Sequence, residues 1–299
     1  MANRNTRCVS KRISLLLLIV LAFLCLLDIL SGYFLKNITN LQKILIYAVI
    51  FIIPIFFYLR LNRYKASSML KLRHVKFKYL PFIILFGISV SVICALINAG
   101  AAAVLSNFWN IKIPTSTVSF ASDNPAVVIL THVFLPAFCE ELLIRGVALS
   151  EYEKYGVSIS VLLTATVFSL FHGSVVTFLS LFVAGVCYAV LTHLFKSVWP
   201  AIICHVINNA LAVYINYHAD FIKYLAEDFI FIVIVAAILF IILYITLRLT
   251  ENVIDDLGDK KRLKTNTRKL VYGEPLGSVY IWIFFALSIF ISVRNLGLW

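Results

Sequence analysis

The sequence has little charge. Only 13% of its 299 residues are Asp, Glu, Lys or Arg, and 62% are hydrophobic. Soluble domains are nearer one quarter charged and one half apolar, so this composition excludes an ordinary soluble domain. Several apolar runs exceed the roughly 18 residues that a spanning helix needs. We therefore expect an all-α polytopic membrane protein, a bundle of about eight to nine transmembrane helices.

Several familiar signals are also missing. The six cysteines form no Cys-x-x-Cys pair and lie mostly inside apolar runs, which argues against a disulfide framework. No internal repeat is evident, which counts against a transporter built from repeats. There is no His-Glu-x-x-His helix, the usual signal of a zinc protease. The first apolar run is too long for a signal peptide and lacks a clear cleavage site, so we expect a retained helix.

Nine apolar runs are the predicted spans, and they divide the chain into three regions. The regions are residues 1–125, residues 126–217 and residues 218–299; the first and last each carry a basic loop. The predicted spans cover approximately residues 13–35, 43–60, 80–106, 126–148, 158–173, 176–195, 199–217, 228–248 and 276–293.

The basic residues predict the orientation of these spans. When the spans are threaded in order, 20 of the 26 Lys and Arg residues fall on the side of the N-terminus. Positive charge accumulates on the cytoplasmic side of membrane proteins, so we expect a multi-pass protein of the cell membrane with a cytoplasmic N-terminus. This distribution also accounts for the net charge of +12 without a nucleic-acid partner.

Two adjacent carboxylates, Glu140 and Glu141, lie near the end of the fourth apolar run. Ionisable groups inside a membrane are costly, so each is a candidate for function. On a helix, Glu141 and Arg145 are four residues apart and can pair, whereas Glu140 has no partner in its own helix. The pattern predicts one carboxylate held ionised by Arg145 and a second that is free to exchange a proton.

Two later spans carry further polar groups. Phe168 and His172 share one face at the end of the fifth predicted span, and His205 and Asn209 share one face in the seventh. Each group alone has a structural explanation, such as an ion pair or a hydrogen bond between helices. Together with Glu140 they need polar partners or water, which predicts a polar cavity within the membrane.

These residue types suit the hydrolysis of an amide. A carboxylate that exchanges protons near neutral pH can act as a general base for water. His172 can share that water or protonate the leaving amine, and His205 and Asn209 can donate hydrogen bonds to an oxyanion.

A thiol mechanism is a rival, because Cys139 and Cys204 each adjoin a polar residue of these spans. Adjacent helix positions point about 100° apart, and a cysteine in apolar surroundings is a poor nucleophile. We therefore do not favour it.

Three motifs in order resemble those of a known family. They are Glu140-Glu141-x-x-x-Arg145, Phe168-x-x-x-His172 and His205-x-x-x-Asn209. This arrangement is similar to that of the CAAX protease and bacteriocin-processing (CPBP, or Abi) family of intramembrane endopeptidases. The resemblance covers about residues 126–217.

The resemblance implies a role for each motif residue. Glu140 and His172 would activate the water, and His205 and Asn209 would stabilise the oxyanion. The supporting residues would be Glu141, Arg145 and Phe168, the first two as a structural pair and the third packed beside the site. We expect metal-free, glutamate-type hydrolysis, with zinc bound by Glu140, His172 and His205 as the alternative.

The resemblance also implies a substrate class. Eukaryotic members remove the last three residues of prenylated proteins that end in Cys-a-a-X, and bacterial members are associated with bacteriocin self-immunity or with processing of exported peptides. We therefore expect a membrane-associated or lipidated peptide or protein as substrate. A non-catalytic membrane immunity or binding protein and, less favoured, a transporter remain as alternatives.

Overall fold

A computed structural model describes residues 4–33, 40–109, 124–218, 229–257 and 275–296. Within these ranges the chain forms nine long helices and no strand. They are α1 (Arg4–Tyr33), α2 (Asn40–Leu61), α3 (Leu80–Trp109), α4 (Pro125–Tyr155), α5 (Val157–Phe171), α6 (Val175–Phe195), α7 (Trp199–Tyr217), α8 (Phe229–Asp256) and α9 (Val279–Arg294).

The predicted all-α membrane fold is confirmed, and each of the nine predicted spans coincides with one of these helices. Five helices of the described ranges contain segments long and apolar enough to cross a membrane, and three shorter helices are also apolar. Their outward faces carry large hydrophobic side chains, such as Ile230, Phe240 and Phe290, which are 69%, 71% and 58% exposed. Contiguous apolar surface of this kind suits lipid rather than water.

Helix α4 changes its helical form along its length. It begins at Pro125, where the Asn124 side chain accepts a hydrogen bond from the Ala126 amide. Segments Ile129–Phe134 and Leu142–Ala148 are wider π-helix, and the α-helical segment between them carries the two glutamates. Pro136 has no N–H to donate to the carbonyl four residues before it, and the first π segment lies just before this position. Such wide turns are rare and are often found at functional sites.

Helices α4 to α7 form the centre of the bundle, and α2 and α3 pack around them. Helices α5 and α6 approach most closely at Gly185, where an added Cβ would lie 2.9 Å from the Ala165 Cα. A second close approach lies between α3 and α7, at Gly87 and Cys204. These small residues let the helix backbones come close enough to bring their polar side chains together.

A short connection between α2 and α3 is fastened to the ends of the central helices. Ser150 donates to the carbonyl of Met69, and the Val198 amide donates to the carbonyl of Lys71. The Lys71 amine forms an ion pair of 2.8 Å with Glu153. Burial lowers the pKa of Lys71, and Glu153 opposes that shift. The connection is therefore part of the packed structure.

Candidate active site

Helices α4 and α5 bring Glu140 and His172 together. His172 follows the last residue of α5, and its Nε2 lies 3.7 Å from Oε2 of Glu140. The two side chains are 32 residues apart in sequence, and the turn that follows His172 is held by the Asn295 amide, which donates to the carbonyl of Gly173. The structure thus forms the carboxylate–imidazole pair that the motifs predict, although no contact within either helix specifies it.

The orientation of the His172 ring is set by its own helix. Its Nδ1 lies 2.9 Å from the carbonyl oxygen of Phe168. Because a carbonyl only accepts, we assign the proton of the neutral ring to Nδ1, which leaves Nε2 as an acceptor facing Glu140. The 3.7 Å separation exceeds a direct hydrogen bond, so the two atoms face each other as acceptors.

Tyr47 is a contact of Glu140 that the sequence reasoning missed. Its hydroxyl donates to Oε1 of Glu140 over 2.5 Å, from helix α2 and 93 residues earlier in the chain. The other oxygen, Oε2, is buried and accepts no hydrogen bond from the described residues. The signal in the sequence was a polar hydroxyl inside the second apolar run, but nothing there indicated its partner.

Glu141 belongs to a different, fully buried group. Its Oε1 accepts from Nη1 of Arg145 at 3.0 Å and from Nδ1 of His205 at 2.9 Å. Nη2 of Arg145 also donates to the carbonyl of Gly185 over 3.3 Å. The predicted Glu141–Arg145 pair is formed, and the guanidinium and the imidazole both compensate the charge of this buried carboxylate.

Two aromatic rings enclose this buried group. The guanidinium carbon of Arg145 lies 4.3 Å from the centre of the Phe168 ring and 5.5 Å from that of Tyr188. The His205 ring contacts the same two rings, at 5.5 and 5.8 Å, and Phe168 also contacts the His172 ring at 5.0 Å. Phe168 therefore touches both polar groups. Tyr188 was not singled out from the sequence, because a tyrosine in an apolar helix has no local motif.

His205 and Asn209 have different surroundings. Since Nδ1 of His205 donates to Glu141, the neutral ring has an acceptor at Nε2, and only the imidazolium can donate from that atom. The Asn209 amide donates over 3.5 Å to the carbonyl of Val133, in the first π segment of α4. The structure thus brings His205 to the Glu141–Arg145 pair and sets Asn209 against α4, one helical turn further along α7.

The two thiols are poorly placed for catalysis. Cys139 and Cys204 are 1% and 0% exposed, and the Cys204 Sγ lies 3.5 Å from the carbonyl of Ile83. Both thiols are therefore buried among other side chains.

A bound zinc ion is not readily accommodated by this arrangement. In the described parts of the chain, no three His, Cys, Asp or Glu side chains are grouped so that they could hold a metal ion. Glu140 and His172 could offer two ligands, but the third residue of the alternative, His205, is hydrogen-bonded to Glu141.

An apolar cavity of about 670 Å³ lies between α3, α4 and α7. Phe138, two residues before Glu140, and Val206, adjacent to His205, both line it. The remaining walls are large hydrophobic side chains, among them Leu130, Phe134, Trp199 and Ile203. Its size and lining suit a hydrocarbon chain.

Residues 122–211 match the family described as Rce1-like, type II CAAX prenyl endopeptidase Rce1-like. The matched segment contains all three motifs, and it leaves out helices α1, α2, α3, α8 and α9. No curated protein and no solved structure matched the chain.

Proposed function

We propose that the protein is an intramembrane endopeptidase of glutamate type, because residues 122–211 match the Rce1-like family of type II CAAX prenyl endopeptidases. It hydrolyses a peptide bond of a membrane-associated or lipidated substrate. The observation that carries this proposal is the pair of acceptors, Glu140 Oε2 and His172 Nε2, that face each other across 3.7 Å.

The first step is the activation of water. A water molecule between the two acceptors donates one hydrogen bond to Glu140 and one to His172, so its lone pairs point towards the substrate. As its oxygen bonds to the carbonyl carbon, one proton passes to Glu140, and the carbonyl oxygen becomes an oxyanion. When the C–N bond breaks, that proton passes to the leaving amine, and the product is a carboxyl group and a free amine.

The oxyanion needs donors on α7. In the role that the family resemblance implies, His205 donates from Nε2, which requires the imidazolium form because Nδ1 already donates to Glu141. The carboxylate of Glu141 accepts from both His205 and Arg145, and this holds the imidazole ring in place. Asn209 supplies the second donor after its weak contact with Val133 is exchanged for the substrate oxygen.

The apolar cavity supports a lipidated substrate. A prenyl or acyl chain could bind between α3, α4 and α7, two of which, α4 and α7, also carry Glu140 and His205. Bacteriocin self-immunity is the biological setting that we propose from the CPBP resemblance. The two alternatives, a non-catalytic immunity protein and a transporter, both predict no cleavage in the assay that follows.

The test is a cleavage assay with protein purified in detergent and a library of quenched peptides, some of them prenylated or acylated. Wild type should cleave lipidated members, and Glu140→Ala and His172→Ala should each lose roughly 10²-fold or more of kcat, the usual contribution of acid–base catalysis. Glu153→Gln, on the same helix as Glu140 but outside the site, is the control and should remain active.

Three outcomes separate the alternatives. If a chelator abolishes the activity and added zinc restores it, the mechanism depends on a metal and the metal-free proposal is wrong. Folded wild-type protein that cleaves no member would reject the endopeptidase and favour the binding protein. Proton-driven uptake by proteoliposomes would favour the transporter.

A further inference from the structure

Helices α2 and α4 are joined by two equivalent tyrosine–glutamate hydrogen bonds. The Tyr47 hydroxyl donates to Glu140 over 2.5 Å, and the Tyr58 hydroxyl donates to Glu151 over 2.8 Å. In both pairs the partners are 93 residues apart, and the two tyrosines, like the two glutamates, are separated by 11 residues. Eleven residues are about three helical turns, so the two helices run side by side in the same direction.

The first of these hydrogen bonds acts on the carboxylate of the proposed active site. Tyr47 engages Oε1 of Glu140, and this leaves Oε2 as the oxygen that faces His172. The tyrosine ring is itself supported, since its centre lies 4.9 Å from that of Phe51. A side chain with two rotatable bonds that is packed on one side can hold its hydroxyl in place at little entropic cost. The carboxylate is therefore restrained from a helix outside the family segment 122–211.

We propose that Tyr47 is a positioning residue of the active site, whose hydroxyl holds Glu140 so that Oε2 faces His172 and the attacking water. The inference rests on the proposed function, because it concerns the same carboxylate. It extends the site to α2, and it makes the docking of α2 against α4 a requirement for catalysis. Tyr58 and Glu151 form the equivalent contact at a distance from His172 and serve only to hold the helices together.

The matched pair of variants Tyr47→Phe and Tyr58→Phe separates positioning from docking. Each removes one hydroxyl that donates to one glutamate of α4. We expect Tyr47→Phe to lower kcat about tenfold with little change in KM, because a hydrogen bond to a charged group is lost where geometry limits the rate. Tyr58→Phe should leave kcat within about twofold of wild type. The unfolding temperatures of both variants should fall, because each loses one hydrogen bond between α2 and α4.

The division between kcat and KM provides a readout that a purely structural role would not move. A loss of folded protein would lower the concentration of active enzyme, whereas a displaced Glu140 carboxylate should lower kcat per folded molecule at unchanged KM. Equal kcat per folded molecule for Tyr47→Phe and wild type would overturn the inference and leave the proposed function intact.

A second measurement does not depend on activity. Infrared spectra of the carboxylate region identify the band of Glu140 as the one that Glu140→Gln removes. Tyr47→Phe should shift that band, because its frequency depends on hydrogen bonding, whereas Tyr58→Phe should leave it in place. An unshifted band in Tyr47→Phe would overturn the inference even if wild type cleaved no substrate, a result that would separately reject the proposed function.

Discussion

At the scale of single residues, the site depends on two neighbouring glutamates with different surroundings. Glu141 is completely buried and accepts from a guanidinium and an imidazole. Glu140 is 15% exposed, accepts one hydroxyl and directs its second oxygen to His172. Both carboxylates keep a buried Oε2 that accepts no hydrogen bond from the described residues, but only that of Glu140 faces a histidine. Because Glu141 is held by a guanidinium and Glu140 is not, the same side chain can serve as a structural anchor at one position and as a base at the next.

The buried pair gives a prediction for stability. Arg145→Met removes the cation but leaves Glu141 buried, and loss of one partner of a buried ion pair typically costs about 3–5 kcal/mol. We expect a large fall in the unfolding temperature of the detergent-solubilised protein. The double variant Glu141→Gln/Arg145→Met, which removes both charges, should recover part of the loss. An unchanged unfolding temperature in the single variant would show that the pair does not support the bundle.

At the scale of helices, the site depends on how closely α5 and α6 approach. A Cβ added at Gly185 would lie 2.9 Å from the Ala165 backbone, and the carbonyl of this glycine accepts from Arg145. Alanine at Gly185 must therefore push the two helices apart and disturb the buried ion pair. Glycine at this position is explained by packing, not by an unusual backbone conformation.

This packing gives a second prediction. Gly185→Ala should destabilise the protein by about 1–3 kcal/mol, the usual cost of overpacking, and should also reduce activity. Gly100→Ala is the matched control on α3, because an added Cβ there meets nothing within 4 Å. Thermal unfolding of both variants in the same detergent is the measurement. Equal stabilities would contradict the close approach of α5 and α6.

The positions of the helices were easier to predict from the sequence than the contacts between helices. Apolar length alone predicted all nine helices, since a chain in hydrocarbon must satisfy its backbone within helices. Helical spacing also predicted the Glu141–Arg145 pair, because both residues lie on one helix. Tyr47 and Tyr188 were missed, and so was the His205–Glu141 contact. Each joins two helices, and the lateral order of helices depends on small-residue contacts that hydropathy does not encode.

At the scale of the whole molecule, the direction of the helices follows one consistent scheme. The charge distribution predicts that α2 and α4 both run from the outer to the cytoplasmic side. The two tyrosine–glutamate hydrogen bonds require these helices to be parallel, which agrees with that scheme. The cytoplasmic position of the N-terminus is a prediction that the packing alone does not test.

The orientation can be tested by labelling. In a variant without the native cysteines, Ser67→Cys and His218→Cys lie at opposite ends of the bundle, on exposed positions. A membrane-impermeant maleimide should label His218→Cys in intact cells and Ser67→Cys only after the cells are permeabilised. The cysteine-free protein is the control for background. Labelling in the reverse order would invert the predicted topology.

The central claim is that Glu140, acting with His172, activates the water that cleaves the peptide. The most direct measurement compares kcat of Glu140→Gln with that of Glu151→Gln on the best lipidated peptide. Both substitutions neutralise a tyrosine-bound carboxylate of α4, and Glu151 also pairs with Lys154, so Glu151→Gln is the structurally more severe of the two. We predict that Glu140→Gln loses roughly 10²-fold or more, while folded Glu151→Gln keeps most of its activity. Comparable activity of the two variants would contradict the assignment of Glu140 as the base.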